Sequence, residues 1–167
     1  SIDGILQDCL GAEVPPETLS EMSADYVKGA ARAFQEARPD ELKFVPGVLR
    51  VLDAFEKAEC PMAIASSSWL PAILTPLERS GALKYFSNII SGYLLPSKPA
   101  PDIFKIAAAS INEPPENGAV FEDSLAGMEG AKKAGMKCVG IGTTRKTAEM
   151  IPADIALSHY QALDFSA

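Results

Sequence analysis

Beyond residue 44 the apolar positions switch repeatedly between a helical period and short continuous runs. Val48 to Ala58 is spaced for a helix, and Met62–Ala65 is a short apolar run of strand type. Pro71–Ser80 is helical again, with Pro71 marking its first turn and Pro76 a site for a bend. A strand follows at Asn88–Ser91, then a helix from Pro101 to about Ser110. Residues 117–121 lead from a turn into another apolar run, and strands are predicted at Lys137–Ile141 and Asp154–Leu157. Helices between strands at this spacing predict βαβ units and a parallel sheet, an α/β fold of Rossmann-like, three-layer type. Residues 1–43 read differently. Ile2, Ile5, Leu6 and Leu10 form one apolar stripe, and Leu19, Met22, Tyr26, Ala30 and Phe34 form another. The expected organisation is a small helical module over 1–43 and an α/β unit over 44–167.

The most informative stretch is Phe121–Met136. Its strand stops at two adjacent carboxylates, Glu122 and Asp123, and a helix begins. Ser124 suits the N-cap; Leu125, Met128, Ala131 and Ala134 keep helical spacing; Gly135 suits the left-handed position after the last turn. Ligands of open α/β sheets bind at the carboxyl ends of strands, where this pair would sit. Two neighbouring carboxylates repel unless a cation separates them, and a hard divalent metal suits the task. The same pair would also complement the helix dipole with no metal at all.

Two more strand ends are polar. Ser66-Ser67-Ser68 offers hydroxyls and N–H groups near a helix start, a ready anion site or a cap with spare serines. In Ser97-Lys98-Pro99-Ala100-Pro101-Asp102, two prolines stiffen the loop, so Lys98 is aimed rather than mobile, and Pro101 suits a first helical turn. A serine loop, an aimed lysine and an acidic pair at one sheet edge describe a phosphate site with a divalent cation.

Composition narrows the partners. Of 167 residues, 47% are hydrophobic and 22% charged, as in ordinary globular proteins. A net charge of −7 argues against nucleic acid or an anionic membrane surface as partner. Cys9, Cys60 and Cys138 have no metal-binding spacing and leave an odd thiol, which suits a reducing cytoplasm. No apolar run approaches the roughly 18 residues of a membrane span.

These motifs carry a resemblance. Ala-Ser66-Ser-Ser, Ser-Lys98-Pro-Ala-Pro-Asp-Ile-Phe and Phe-Glu122-Asp123-Ser-Leu-Ala-Gly resemble, in order and spacing, motifs II, III and IV of the haloacid dehalogenase superfamily. The likeness covers about residues 45 to 160 and is strongest to the β-phosphoglucomutase-like subgroup of phosphatases and phosphomutases. Residues 1–43 resemble part of that subgroup's helical cap, and Ser158-His159-Tyr160 resembles a β-phosphoglucomutase ending. The resemblance implies that Ser66, with Ser67 and Ser68, binds the transferring phosphoryl group, and that Lys98 balances charge on nucleophile and phosphate. It implies that Glu122 and Asp123 hold Mg²⁺ directly or through water, and that the substrate is a small phosphorylated metabolite.

One part of the family pattern is missing. Motif I is an Asp-x-Asp at the end of a first strand, whose first Asp is the nucleophile. Asp3 follows no strand pattern and suits a cap helix. The family's first strand lies between those carrying motifs II and IV, so these residues are expected to be a fragment of a longer protein. Basic residues that grip a second phosphate in β-phosphoglucomutases are also absent: Ser23-Ala24 replaces a Lys-Asn pair, Trp69 a basic residue, and Ser1 or its apolar neighbours an Arg. A monophosphate phosphatase is therefore expected ahead of a mutase. A non-catalytic binding protein on a degraded phosphatase fold is the alternative of another class.

Overall fold

The computed structural model describes residues 43–143 and 145–163. The helical module expected over 1–43 lies outside them, apart from Lys43. Helix α1 spans Val48–Lys57, strand β1 Ala63–Ser66, α2 Leu70–Ser80 and β2 Asn88–Ser91. Helix α3 covers Asp102–Ser110, β3 Ala119–Glu122, α4 Leu125–Lys133, β4 Lys137–Ile141 and β5 Ile155–Leu157. This is the alternation that the apolar periods predict.

The differences from expectation are local and have physical causes. Strand β1 runs to Ser66 and β3 to Glu122, so two polar site residues are themselves the last residues of strands. Strand β5 starts one residue late because Asp154 turns back onto β4. Its carboxylate accepts the Cys138 N–H at 2.7 Å, and its own N–H donates to the Cys138 carbonyl at 2.9 Å. Pro101 is the N-cap of α3 rather than its first helical residue. Its missing N–H costs nothing there, while its carbonyl accepts from Lys105 at 3.1 Å. Helix α4 is fixed at both ends. Ser124 Oγ accepts the Gly127 N–H at 3.0 Å. At the other end Met136 N–H donates to the Ala131 carbonyl (3.1 Å) and Gly135 N–H to Lys132 (3.0 Å), with Gly135 at φ 85°. That is a Schellman closure, which needs a left-handed residue where Gly135 stands.

Every strand pair is parallel. β1 lies against β2 with Ala63 opposite Asn88, β3 against β4 with Ala119 opposite Lys137, and β4 against β5 with Val139 opposite Ile155. Among the described residues these pairs make two sheets, β2-β1 and β3-β4-β5, and β1 and β3 are not paired with each other. The Ser66 carbonyl accepts Gly92 N–H at 2.7 Å, so by alternation the backbone groups of Ala63 and Ala65 turn to the other edge of β1. In β3 the Gly118 carbonyl accepts Lys137 N–H at 3.0 Å, which likewise turns Ala119 and Phe121 away from β4. The break between sheets thus falls between the serine-loop strand and the acidic-pair strand, where the resemblance places a further strand.

The apolar core lies on one face. Ile103, Phe104 and Ala108 of α3 meet Met128 and Ala131 of α4, with Met136, Cys138 and Met150, over half-buried Ala65, Ile90 and Val120. Phe121, adjacent to Val120, points the opposite way as strand alternation requires. It meets Phe55 of α1 edge-on at 5.7 Å and stacks on Tyr160 at 6.3 Å. On the side of α1 and α2, Val51 and Ile73 are those helices' buried residues. Met128→Ala, at a position with no exposure, is expected to cost about 2–5 kcal/mol in urea unfolding. Leu94→Ala, at a side chain 90% exposed, should stay within about 0.5 kcal/mol. Equal losses would contradict this placement of the core.

Candidate active site

Strand β1 delivers Ser66 to its C-terminal end, and Ser67 and Ser68 turn the chain toward α2. The Ser68 N–H donates to Ser66 Oγ at 3.2 Å. Ser91 at the end of β2 donates its hydroxyl to the Ser68 carbonyl at 2.7 Å, tying the loop to the neighbouring strand. The N-cap of α2 is Trp69, with no side-chain cap bond. The serines are therefore not used as caps for that helix, which removes the simpler explanation of their number.

Lys98 is held where its loop aims it. Its side chain is 15% exposed and its ammonium lies 4.9 Å over the Phe104 ring. Nζ donates to Glu122 Oε2 at 2.7 Å and reaches to 3.5 Å of the Ala65 carbonyl on the inner edge of β1.

Glu122 is the most constrained acid of the cleft. Its Oε1 accepts the N–H groups of Asp123 (3.2 Å) and Ser124 (3.1 Å) and the Ser124 hydroxyl (2.8 Å). The carboxylate lies against the first turn of α4. A Cβ at Gly127 would fall 2.1 Å from Glu122 Cδ, so any larger residue there displaces the acid. Burial opposes its ionisation, but Lys98 and the Ser124 donors outweigh burial and hold the carboxyl below its ordinary value.

Asp123 takes another partner: its Oδ2 accepts the Thr143 hydroxyl at 2.8 Å. Of the adjacent carboxylates, Glu122 thus meets Lys98 and the helix start, and Asp123 meets Thr143 among its partners. Ser66, Ser67, Ser68, Lys98, Glu122 and Asp123 all line one cleft of about 520 Å³, together with Thr143 and Tyr160. Burial, then the charges of Asp123 and Glu122, push the Tyr160 phenol above its ordinary value. His159 is exposed and does not line this cleft.

Sequence reasoning missed Thr143. Its signal was the predicted strand Lys137–Ile141 followed by Gly142-Thr143, a small polar turn at a strand end like many others. The described residues hold no group of three or more His, Cys, Asp or Glu side chains placed for a metal. Mg²⁺ nevertheless keeps several waters and needs only one or two carboxylates beside a phosphate, so the oxygen donors here suit it.

The sequence profile of haloacid dehalogenase-like hydrolases matches residues 6–141, and the chain belongs to that family. It is 35% identical over 125 residues to a phosphorylated carbohydrates phosphatase of Thermotoga maritima, covering 70% of this chain and 58% of that protein. It is 35% identical over 121 residues to a β-phosphoglucomutase of Bacillus subtilis, covering 71% and 50%. The chain thus spans about half the length of these relatives. The fold matches the crystal structure of a Clostridium difficile β-phosphoglucomutase with a TM-score of 0.85, at 23% identity over 99% of this chain and 74% of that one. The family and the Rossmann-like α/β fold agree with the resemblance read from the motifs.

The depressed Glu122 carboxyl has a consequence for stability. A group whose folded value is lowered contributes stability above its unfolded value, here 4.5, and loses it as pH falls through the lower folded value. Glu122→Gln leaves Lys98 without its ion pair and is expected to cost about 3 kcal/mol or more at neutral pH. The advantage of the unaltered chain over this variant should shrink as pH drops below about 4.5. Urea unfolding from neutral pH downward measures it, and an advantage constant through the acid range would refute the assignment.

Proposed function

We propose that this chain belongs to a Mg²⁺-dependent phosphohydrolase acting on a small phosphorylated sugar or sugar acid. One observation carries the reading: serine loop, aimed lysine and acidic pair, from three separate segments, line one cleft at the carboxyl ends of β1 and β3. The relatives named for phosphorylated carbohydrates and for β-phosphoglucose chemistry support the substrate class.

The residues divide the work as follows. Ser66 Oγ, already accepting from Ser68, directs its own proton to a phosphoryl oxygen, and the N–H groups of the loop add further donors. Lys98 compensates charge on the transferring group while Glu122 holds it in place. Asp123, with Glu122 directly or through water, holds Mg²⁺, which when bound offsets phosphoryl charge. Positioning and electrostatics of this kind are most of what phosphoryl transfer asks of a protein.

The family mechanism calls for a carboxylate nucleophile, which the strand ends of the described residues do not supply between β1 and β3. The carboxylate oxygen attacks phosphorus while the bond from phosphorus to the sugar oxygen breaks, and that oxygen takes a proton from the general acid the family pattern pairs with the nucleophile. Water, giving its proton to the same group, then splits the acyl phosphate to release phosphate and regenerate the carboxylate. A mutase is the second reading, favoured by the β-phosphoglucomutase relative. Against it, Trp69 stands where a basic residue would grip a second phosphate, 37% exposed and outside the cleft lining. A cytoplasmic setting fits Cys60 and Cys138, both free thiols, the second buried and pushed up to about 11.

Two measurements test this. In the complete protein, Lys98→Met should abolish turnover at any Mg²⁺ concentration. Asp123→Asn should lower it by about 10- to 100-fold and recover partly as Mg²⁺ is raised. Indistinguishable Mg²⁺ titrations would refute this division of roles. Residues 1–167 alone should release no phosphate from sugar phosphates; Mg²⁺-dependent release that Asp123→Ala abolishes would show that the nucleophile lies within the chain.

A further inference from the structure

We propose that Tyr160 is a binding residue of this cleft, its phenol hydroxyl donating a hydrogen bond to an oxygen of the phosphoryl group held there. This rests on the phosphate site proposed for Ser66 and Lys98. The observation that carries it is a hydroxyl on a residue lining the cleft to which the described residues offer no hydrogen-bond partner.

The polar groups around it are committed to one another. Ser66 Oγ accepts the Ser68 N–H at 3.2 Å, Lys98 holds Glu122 at 2.7 Å, and Thr143 donates to Asp123 at 2.8 Å. A donor without a partner in a half-buried cleft costs free energy that a ligand or a water recovers. A phosphoryl group brings acceptor oxygens, and a phenol donates to one of them without adding charge beside Glu122 and Asp123. Burial, then the charges of Asp123 and Glu122, keep the phenol proton in place.

Tyr160 is also braced as an aimed group must be. Its ring stacks on Phe121 at 6.3 Å, and Phe121 in turn meets Phe55 of α1 edge-on. The short turn Tyr160–Ala162 lies hard against the start of α1. A Cβ at Gly47 would fall 2.7 Å from the Gln161 nitrogen, and Gly47 stands at φ 87°, so glycine is what allows the approach. From the same helix Arg50 donates to the carbonyls of Tyr160 (3.5 Å), Gln161 (3.3 Å) and Leu163. One guanidinium thus gathers the carbonyls of this turn, which cannot slide along α1 without losing them. With its backbone clamped to α1 and its ring held by Phe121, the position of the hydroxyl follows.

The test is phosphate binding, read without turnover. Inorganic phosphate is titrated calorimetrically into the complete protein with Mg²⁺ present. Tyr160→Phe keeps the ring and its stack on Phe121 and deletes only the hydroxyl. We expect it to weaken phosphate binding by about 10-fold, the scale of one hydrogen bond to an ionised group, with little change in thermal unfolding. Tyr93→Phe, which removes a phenol hydroxyl outside the cleft lining, should bind phosphate as the unaltered protein does. In protein labelled with fluorotyrosine, the fluorine resonance that is missing from Tyr160→Phe should shift when phosphate is added. Phosphate bound as tightly by Tyr160→Phe, an equal loss in Tyr93→Phe, or a resonance that does not move overturns the proposal. Lys98→Met separates the two levels. Phosphate bound as tightly in that variant overturns the phosphate site itself, and this inference with it. A loss in Lys98→Met with none in Tyr160→Phe leaves the site standing and overturns the role of Tyr160 alone.

Discussion

The structure depends on a half-buried ion pair that joins two sheets. Lys98 and Glu122, at 15% and 11% side-chain exposure, meet at 2.7 Å between β1 and β3, strands that share no ladder bond among the described residues. Taking both charges from water costs several kcal/mol per ion, and their attraction offsets this only when the remaining hydrogen-bonding capacity is filled. Here it is filled. Glu122 takes three further donors from the start of α4, and Lys98 reaches a β1 carbonyl and the face of Phe104. Such an arrangement is strong in one direction only. Removing either partner strands the other charge in a low-dielectric cleft, so the pair constrains position more than it adds stability.

The same pair explains the division of labour around it. A carboxylate already satisfied by four donors is a poor candidate for rearrangement during a reaction, while Asp123 beside it is held by a hydroxyl at the mouth of the cleft. Gly127 makes this possible, since the first turn of α4 must lie against Glu122 with no Cβ between them. In this way helix packing, the choice of a glycine and the electrostatics of the cleft are one constraint seen from three sides.

The cleft itself joins a local cation to an acidic molecule. The chain carries a net charge of −7, yet the strand ends present a lysine, serine hydroxyls and loop N–H groups where an anion would rest. A volume of about 520 Å³ is of the size that small ligands occupy. Anion binding in this cleft would thus rest on a few aimed donors rather than on the overall field.

Much of this was legible in the residues. The alternation of apolar periods gave each strand and α-helix from Val48 to Leu157 to within a residue or two, though not the short 3-10 turns between them, because binary pattern follows from which face must be buried. The closure of α4 was equally local: Ser124 and Gly135 act through bonds a few residues away. The serine loop, Lys98 and the acidic pair were visible as polar groups at strand ends. Their meeting in one cleft depends on parallel strand order, which periodicity does not encode. What only the tertiary structure decided is who holds whom. That Glu122 belongs to Lys98, that Asp123 belongs to Thr143, and that Tyr160 and not His159 enters the cleft are contacts across 20 or more residues. Nothing in the local chemistry of a Gly-Thr turn announces such a partner, because it is β5, through Gly142, that fixes where the hydroxyl points.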